Sequence, residues 1–396
     1  MRGVLKRGFM GLIVALAFFL LLEGGLRLVF GPPAPARLIR KVWAAEGQAF
    51  AIEGGKATPT YQGIDAIAAF DVAPTPAVVR IAGFGESSMH GGSGLPVDRE
   101  FMGLIGKTLT AEGERVEVLN LARPGLDSHT NRAIVAEGMA FHPDIVMFYM
   151  GHNDIGNGML EARYGTIQSA AAAHLTVGLE QFQLYVQLQH LLVPHPNTPQ
   201  ARPGLTPTQR EVLEIDFRSN LRRMVYDVKR AGATPILITP ASPLDGWFPT
   251  GPSCSAAVPV SAWQRRATGW TLYAERLTSA QIDYAISAAP DCPDVMYLRG
   301  IKMLREGKRD EAWRALAAAR DLEPASTRAS SGIVAAVRQV ADEEEIPLVD
   351  WEAWLRTGTR QSQWFTDNVH LQPQAHVALA KLAAPTVKEA IAARRD

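Results

Sequence analysis

Short apolar runs recur along the chain, and each is bounded by polar or turn-forming residues. Runs of this length predict buried strands, and near-continuous apolar runs are typical of parallel sheets whose two faces are both covered. The five predicted strands are 78–84, 116–120, 145–150, 235–239 and 346–349.

Helical patterns alternate with these strands. Residues 100–112 follow the first strand, and residues 206–231 precede the fourth and end at Gly232. Pro373 is expected to open a last helix, in which Pro385 is a candidate kink. Alternating strands and helices favour βαβ units, so the sequence predicts an α/β, flavodoxin-like three-layer fold with a five-stranded parallel sheet.

Two segments, 155–205 and 243–323, are longer than this fold needs, and long connections usually carry function or structure of their own. The first has an apolar helical part near Phe182 and is a candidate lid. The second resembles one tetratricopeptide-like helical hairpin. A single hairpin is expected to pack on the main domain, with binding of a protein partner as the alternative. The resemblance depends on Tyr297, Gly300, Gly307, Ala312, Ala319 and Pro324.

The N-terminus directs the chain to a membrane. Three basic residues precede an uncharged apolar run at 8–22, and the apolar stretch continues past Glu23 and Arg27 to Phe30. About 20 such residues span a bilayer, so residues 1–30 predict a single-pass anchor. Basic residues before the span predict a cytoplasmic N-terminus, which places the rest on the periplasmic or extracellular side of the inner (cytoplasmic) membrane. A cleaved signal peptide is the rival interpretation.

Residues 31–77 form a Pro-rich spacer and lead-in, and the main domain is expected at 78–396. Lys plus Arg and Asp plus Glu number 40 each, so no basic field is available to hold nucleic acid. Cys254 and Cys292 lack the paired spacing of a zinc site. They allow one disulfide in an oxidising compartment, and two unrelated buried thiols are the alternative.

Chemistry concentrates where the predicted strands end. The first strand is followed by Gly85-Glu86-Ser87, which places a serine at the carboxyl end of the strand, just before a helix. In open α/β sheets, sites are built in this position. The serine hydroxyl can face a crevice there, while its own N–H faces a developing anion. By itself the Gly-x-Ser turn is a weak signal.

Two further donors follow the second and third predicted strands. Gly125 offers a backbone N–H and Asn153 a side-chain amide, and acyl transfer needs such donors around the tetrahedral oxyanion. A glycine in a positive-φ turn and an asparagine that caps a helix are the ordinary alternatives.

Near the C-terminus, Asp367 precedes His370 by three residues, just before the last helix. Asp367 could orient the imidazole, and the other ring nitrogen could take a proton from Ser87 and later deliver it to a leaving alcohol. A histidine used only for packing is the alternative.

Together, Ser87, Gly125, Asn153 and Asp367-x-x-His370, in this order and at these places, resemble the SGNH (GDSL-like) hydrolase family. The resemblance covers residues 78–396 apart from the two insertions. It implies Ser87 as nucleophile, His370 as base and acid, and Asp367 as orienter. It also implies an oxyanion hole made by Ser87, Gly125 and Asn153, and it implies neither a cofactor nor a metal.

The sequence departs from the family pattern beside the nucleophile. Glu86 stands where the family usually has Asp, and Ser88 stands where it has Leu, so Glu86 receives no catalytic role. Neither His90 nor His152 has a carboxylate placed as Asp367 is relative to His370.

The resemblance implies a serine esterase, and the predicted anchor places it outside the cytoplasm. The leading hypothesis is removal of a short acyl group, such as acetyl, from a carbohydrate-borne ester. The alternatives are an acyltransferase that acts on an envelope polysaccharide, since a sugar hydroxyl can resolve the same acyl-enzyme, and a lipase or lysophospholipase. A non-catalytic scaffold is the last alternative.

Overall fold

The computed structural model describes residues 2–30, 49–60, 69–91, 95–160, 170–192, 205–249, 277–323, 326–358 and 360–395. Its strands are β1 (Phe50–Glu53), β2 (Lys56–Pro59), β3 (Phe70–Asp71), β4 (Val79–Gly85), β5 (Val116–Asn120), β6 (Ile145–Tyr149), β7 (Thr234–Ile238) and β8 (Leu348–Val349). The helices before the first insertion are α1 (Arg2–Phe30), α2 (Ser87–His90), α3 (Phe101–Ala111), α4 (Ser128–Gly138) and α5 (His152–Leu160).

The insertion helices are α6 (Ala170–Leu179) and α7 (Gln183–Leu192), and the long helix α8 (Pro207–Arg230) follows them. The second insertion contributes α9 (Ser279–Ala288), α10 (Pro293–Arg305) and α11 (Arg309–Asp321). The C-terminal part contains α12 (Ser331–Glu343), α13 (Trp351–Thr357) and α14 (Pro373–Ala393). Short 3-10 turns occupy Val97–Arg99, Met139–Phe141 and Ser362–Trp364.

Strands β4 to β8 form one parallel sheet in the order β5-β4-β6-β7-β8. This is the flavodoxin-like order, in which the chain changes direction across the sheet after the second strand. The five predicted strands are confirmed within one or two residues at each end. The last is the shortest, because Ile346 still bonds back to Ala341 in the turn that ends α12.

Helices cover both faces of this sheet, which confirms the three-layer fold. On β6 the side chains of Val146 and Phe148 belong to one apolar core, together with residues of α4, α8 and α12. Ile145, Met147 and Tyr149 belong to the other core, with residues of α3, α13 and α14. Every residue of β6 is buried, as expected for a central parallel strand whose residues alternate between two covered faces.

A second sheet lies in the lead-in segment. Strands β1, β2 and β3 pair antiparallel, and Gly54 and Gly55, both at positive φ, make the two-residue turn between β1 and β2. Phe50 and Phe70 each pack edge-on against Phe141, with ring centroids 4.8 and 4.9 Å apart. The lead-in therefore packs on the main domain instead of acting only as a spacer.

The second insertion is helical where the structure describes it. Helices α10 and α11 pack against each other around Gly300, where an added methyl group would overlap the side chain of Leu316. Pro324 and Cys254 lie outside the described residues, whereas Cys292 is buried just before α10 and is disulfide-bonded. The tetratricopeptide-like character of this hairpin stays a prediction.

Gly85 ends β4 and pairs with Tyr149 of β6. A methyl group on Gly85 would overlap the carbonyl oxygen of Tyr149 and crowd Met89. We expect Gly85→Ala to lower the free energy of unfolding by about 1–3 kcal/mol, because overpacking moves backbone or side chains. Urea denaturation measures the change. Gly178→Ala is the control, since nothing lies near its added methyl group, and equal stability loss in both variants would contradict the explanation.

Candidate active site

The carboxyl ends of β4, β5 and β6 bring three of the predicted site residues to one edge of the sheet. Ser87 follows β4, Gly125 follows β5, and α5, which contains Asn153, begins directly after β6. Strand β4 lies between β5 and β6, so the chain leaves β4 at the point where the strand order reverses. Such a reversal opens a crevice outside the strand ends.

Ser87 is the first residue of the short helix α2, and it is partly exposed. The N–H groups of Met89 and His90 both donate to the carbonyl of Glu86, at 3.0 Å each. These bonds turn the chain sharply after β4. Within the described part of the chain, the Ser87 hydroxyl makes no hydrogen bond, so it is available to a substrate.

Glu86 lies buried directly beside Ser87, and its carboxylate caps the start of α5. It accepts the backbone N–H groups of His152 and Asn153, each at 2.8 Å. Burial raises the pKa of Glu86 to about 7, although these bonds and a further one from Gly151 oppose the rise. The carboxylate thus joins the serine turn to the helix that carries Asn153.

Gly125 lies on the loop after β5, which faces the start of α5 and its residue Asn153. The Asn153 amide donates to the carbonyl of Leu126 at 3.1 Å, and Asn157 of the same helix donates to the carbonyl of Gly125 at 3.0 Å. Gly125 has a φ of +75°, a conformation that favours glycine. The need for a positive φ in this turn is therefore enough to explain a glycine at position 125. Its N–H makes no hydrogen bond among the described residues and can serve as a donor.

Asp154 fixes the loop after β5 from the opposite side. Its buried carboxylate accepts the hydroxyl of Ser128 at 2.5 Å and the Ser128 N–H at 3.1 Å. Burial raises the pKa of Asp154, and the neighbouring charge of Asp127 adds to the rise. Together, Glu86 and Asp154 fix α5 against the loops after β4 and β5. No local sequence signal marks either carboxylate for this role.

Asp367 and His370 form a compact hydrogen-bonded turn. The Asp367 carboxylate accepts the N–H groups of Val369 and His370 at 2.9 and 2.8 Å, and its second oxygen lies 2.6 Å from His370 Nδ1. A bridge between Phe365 and Leu371 closes the turn. The predicted carboxylate and imidazole are therefore in direct contact.

The contact between Asp367 and His370 raises the pKa of the imidazole and lowers the pKa of the carboxyl group. The hydrogen bond that the His370 ring donates to Asp367 raises the pKa of His370, and burial opposes this rise only in part. Burial alone would raise the pKa of Asp367, but hydrogen bonds from the His370 ring and from the backbone lower it to about 2. Nδ1 is occupied by the carboxylate, so Nε2 is the nitrogen left for proton transfer.

His370 and the residue before Ser87 interact electrostatically. The charge of this residue, Glu86, adds to the rise in the pKa of His370. The described residues include no hydrogen bond between Ser87 and His370. Catalytic hydrogen bonds are often long without substrate and tighten in the complex.

Residues 326–329 support both the His370 turn and α5. Asn368 donates to the Thr327 hydroxyl, and the Ala329 N–H donates to His152 Nδ1 at 3.0 Å. Arg328 forms a fully buried ion pair with Glu323 at 2.7 Å, at the end of the second insertion. Burial lowers the pKa of His152 to about 3, so this histidine is neutral and part of the packing.

Among the described residues, no group of three or more His, Cys, Asp or Glu side chains could hold a metal ion.

No protein-family model matches the chain, and no curated protein matches it. Among solved structures, a lipase/acylhydrolase from Enterococcus faecalis is 14% identical, with a TM-score of 0.38, and the match covers 79% of this chain and 96% of that chain. An acetylxylan esterase from Geobacillus stearothermophilus is 12% identical, with a TM-score of 0.38 and coverage of 79% and 96%. A GDSL-like lipase from Bacteroides thetaiotaomicron is 11% identical, with a TM-score of 0.36 and coverage of 79% and 91%.

At these TM-scores the similarity assigns neither an activity nor a substrate to this chain. The chain's own sheet order confirms the α/β fold that the resemblance to the SGNH hydrolases implied. The serine, glycine and asparagine blocks follow β4, β5 and β6, and the Asp367 and His370 block precedes the last helix, as that resemblance also implied.

The raised pKa of Glu86 generates a stability prediction. Between pH 4.5 and 7 the folded chain keeps a proton on Glu86 that the unfolded chain releases, so stability from this group is lost as the pH rises. Glu86→Gln removes this titration. We expect the free energy of unfolding of the wild type, relative to Glu86→Gln, to fall by about 3 kcal/mol from pH 4.5 to 8 in urea denaturation. A constant difference would contradict the burial of this carboxyl.

Proposed function

We propose that the chain is an SGNH-type serine hydrolase acting on ester bonds. The observation that carries the proposal is the 2.6 Å contact between Asp367 and His370 Nδ1. It orients the ring and leaves Nε2 for a proton, which we propose comes from the partly exposed Ser87. A packing histidine needs no such partner.

In the proposed reaction, the Ser87 oxygen attacks the ester carbonyl carbon while His370 Nε2 takes the hydroxyl proton. Asp367 stabilises the imidazolium that forms, and the N–H groups of Ser87 and Gly125 and the Asn153 amide bind the oxyanion. The carbon–oxygen bond to the alcohol then breaks, and the imidazolium protonates the departing oxygen. Water, deprotonated by His370, releases the acid from the acyl-enzyme by the same steps.

The location we propose is the outer side of the inner membrane. Helix α1 contains 22 residues, Phe9–Phe30, that are long and apolar enough to cross a membrane, and little of this surface is buried by the protein. Basic residues before the span favour a cytoplasmic N-terminus. The disulfide-bonded state of Cys292 fits an oxidising compartment outside the cytoplasm.

The substrate class we propose is a short acyl ester, such as acetyl, on a polar carrier such as a carbohydrate. A lipase needs a continuous apolar trough for its acyl chain. Of the exposed apolar side chains of the first insertion, Leu188 and Leu191 lie on α7, the helix that packs beside α1. This arrangement supports a short acyl group.

Replacing the proposed nucleophile or base should abolish activity. Ser87→Ala and His370→Ala should each remove nearly all hydrolysis of a short-chain aryl ester, because such residues act as a unit. Asn153→Ala should lower kcat by about 10²-fold to 10³-fold, as loss of one oxyanion donor does. Ser287→Ala is the control, an exposed serine on α9 that should stay active. Full activity in Ser87→Ala would end the proposal.

The proposed base should be visible in the pH dependence of kcat/KM. Activity requires neutral His370. The hydrogen bond that the His370 ring donates to Asp367 raises the His370 pKa above its ordinary value of 6.5. Activity should therefore rise with pH through a midpoint above 6.5. Asp367→Asn should move that midpoint to lower pH. It should also lower kcat by about 10⁴-fold if His370 is then held in the tautomer that has its proton on Nε2. An unmoved midpoint in Asp367→Asn would contradict the pairing.

The acyl group should be small. We expect catalytic efficiency to fall steeply from acetyl through butyryl and octanoyl to palmitoyl esters of one leaving group. A maximum at octanoyl or longer would favour a lipase. Transfer of the acetyl group to an added sugar, in preference to water, would favour the acyltransferase alternative.

A further inference from the structure

Helix α1 is hydrogen-bonded to the first insertion through a polar contact near its outer end. The Glu23 side chain is only 6% exposed, and it accepts the N–H groups of Gln183 and Leu184 at 2.7 and 3.0 Å. It therefore caps the first turn of α7. Arg27 donates to Glu23 and to the carbonyl of Gln181, both at 2.6 Å. Helix α7 is thus fixed to a definite level of α1.

An apolar contact continues this attachment further into the span. The rings of Phe19 and Phe182 meet edge-on, with centroids 5.3 Å apart. Phe19 lies four residues before Glu23, which is about 6 Å along a helix. Glu23 is the first charged residue after the apolar run. Phe19 lies near the middle of the 22-residue span Phe9–Phe30, so Phe182, which touches it, lies at the level of the acyl chains.

The two insertion helices have the composition of a surface that meets lipid. Neither α6 nor α7 contains a single Asp, Glu, Lys or Arg, although each has ten residues. Exposed large apolar side chains are present on both helices and on the turn between them. Their exposed fractions are 64% for Leu175, 37% for Phe182, 45% for Leu188 and 79% for Leu191.

We propose that α6 and α7 form a second membrane contact, which enters the outer headgroup and acyl boundary of the bilayer beside α1. The inference rests on the proposed membrane span and not on the esterase chemistry. The partner of this surface is the lipid that surrounds α1.

Lipid is favoured over a second copy of the chain because of where the surface lies. Only 6% of the most apolar window of α1 is buried by the protein, so lipid surrounds the helix at the level where Phe182 touches it. Helix α6 packs on α8, which belongs to the main domain. The contact would therefore fix the orientation of the main domain on the membrane, beyond what an anchor and spacer provide.

The test uses the full-length protein in phosphatidylcholine and phosphatidylglycerol vesicles. An environment-sensitive fluorophore is attached to one introduced cysteine at a time, in Leu191→Cys, Leu16→Cys and Tyr284→Cys. Leu16 lies in the span, and Tyr284 is an exposed side chain on α9 that serves as the matched control. Vesicles with and without doxyl-labelled lipid report whether each fluorophore contacts acyl chains.

We expect doxyl lipid to quench the labels at 16 and 191, with a blue-shifted emission at 191, and to leave the label at 284 unchanged. Leu188→Cys provides a second reporter and should behave like Leu191→Cys. Quenching at 16 without quenching at 188 and 191 would overturn the second contact and leave the span intact.

Two other outcomes would also overturn the inference. Absence of quenching at position 16 would refute the span and the second contact together. A blue shift at 191 that disappears when the protein is diluted in lipid, without doxyl quenching, would assign the surface to a second copy of the chain. Hydrolysis of a short-chain aryl ester by the unlabelled wild type in the same vesicles tests the esterase proposal separately. The wild type can be inactive while the labelled variants still show the expected quenching.

Discussion

The site depends on one buried carboxylate. Glu86 lies beside Ser87 and accepts the first backbone N–H groups of α5, so the turn after β4 and the helix after β6 share one hydrogen-bonded group. A buried carboxyl is costly unless it is hydrogen-bonded or protonated, and the start of a helix offers unpaired donors and a favourable dipole. The geometry between Ser87 and Asn153 is therefore set by the contact that also makes Glu86 tolerable in the core.

The sheet could be predicted from the sequence because its strands are buried on both faces. The predicted strand 145–150 matches β6 almost to the residue, since every position of that strand is apolar and covered. The pairing of Asp367 with His370 was also predictable, because three residues of separation allow one short turn to bring the groups together. Signals of this kind are local, and a single sequence contains them in full.

Other features could not be predicted because they join distant parts of the chain. The bonds from Glu86 to α5 cross more than 60 positions, and the bond from Glu23 to Gln183 crosses 160. The sequence shows Glu23 only as a charge near the outer end of the span, whereas in the structure its carboxylate caps α7. The lead-in sheet had a usable signal in Gly54 and Gly55, but its strands are too short to show alternation.

The segment 326–329 connects the second insertion to the two halves of the site. Through Arg328 it is fixed to Glu323, through Thr327 it holds the turn of His370, and through Ala329 it holds α5. The turn of the proposed base and the helix of the proposed oxyanion donor thus both contact one short piece of the chain that contains neither of them. Shortening or lengthening the chain at this junction would displace both groups at once, so the junction of the helical hairpin tolerates little change in length.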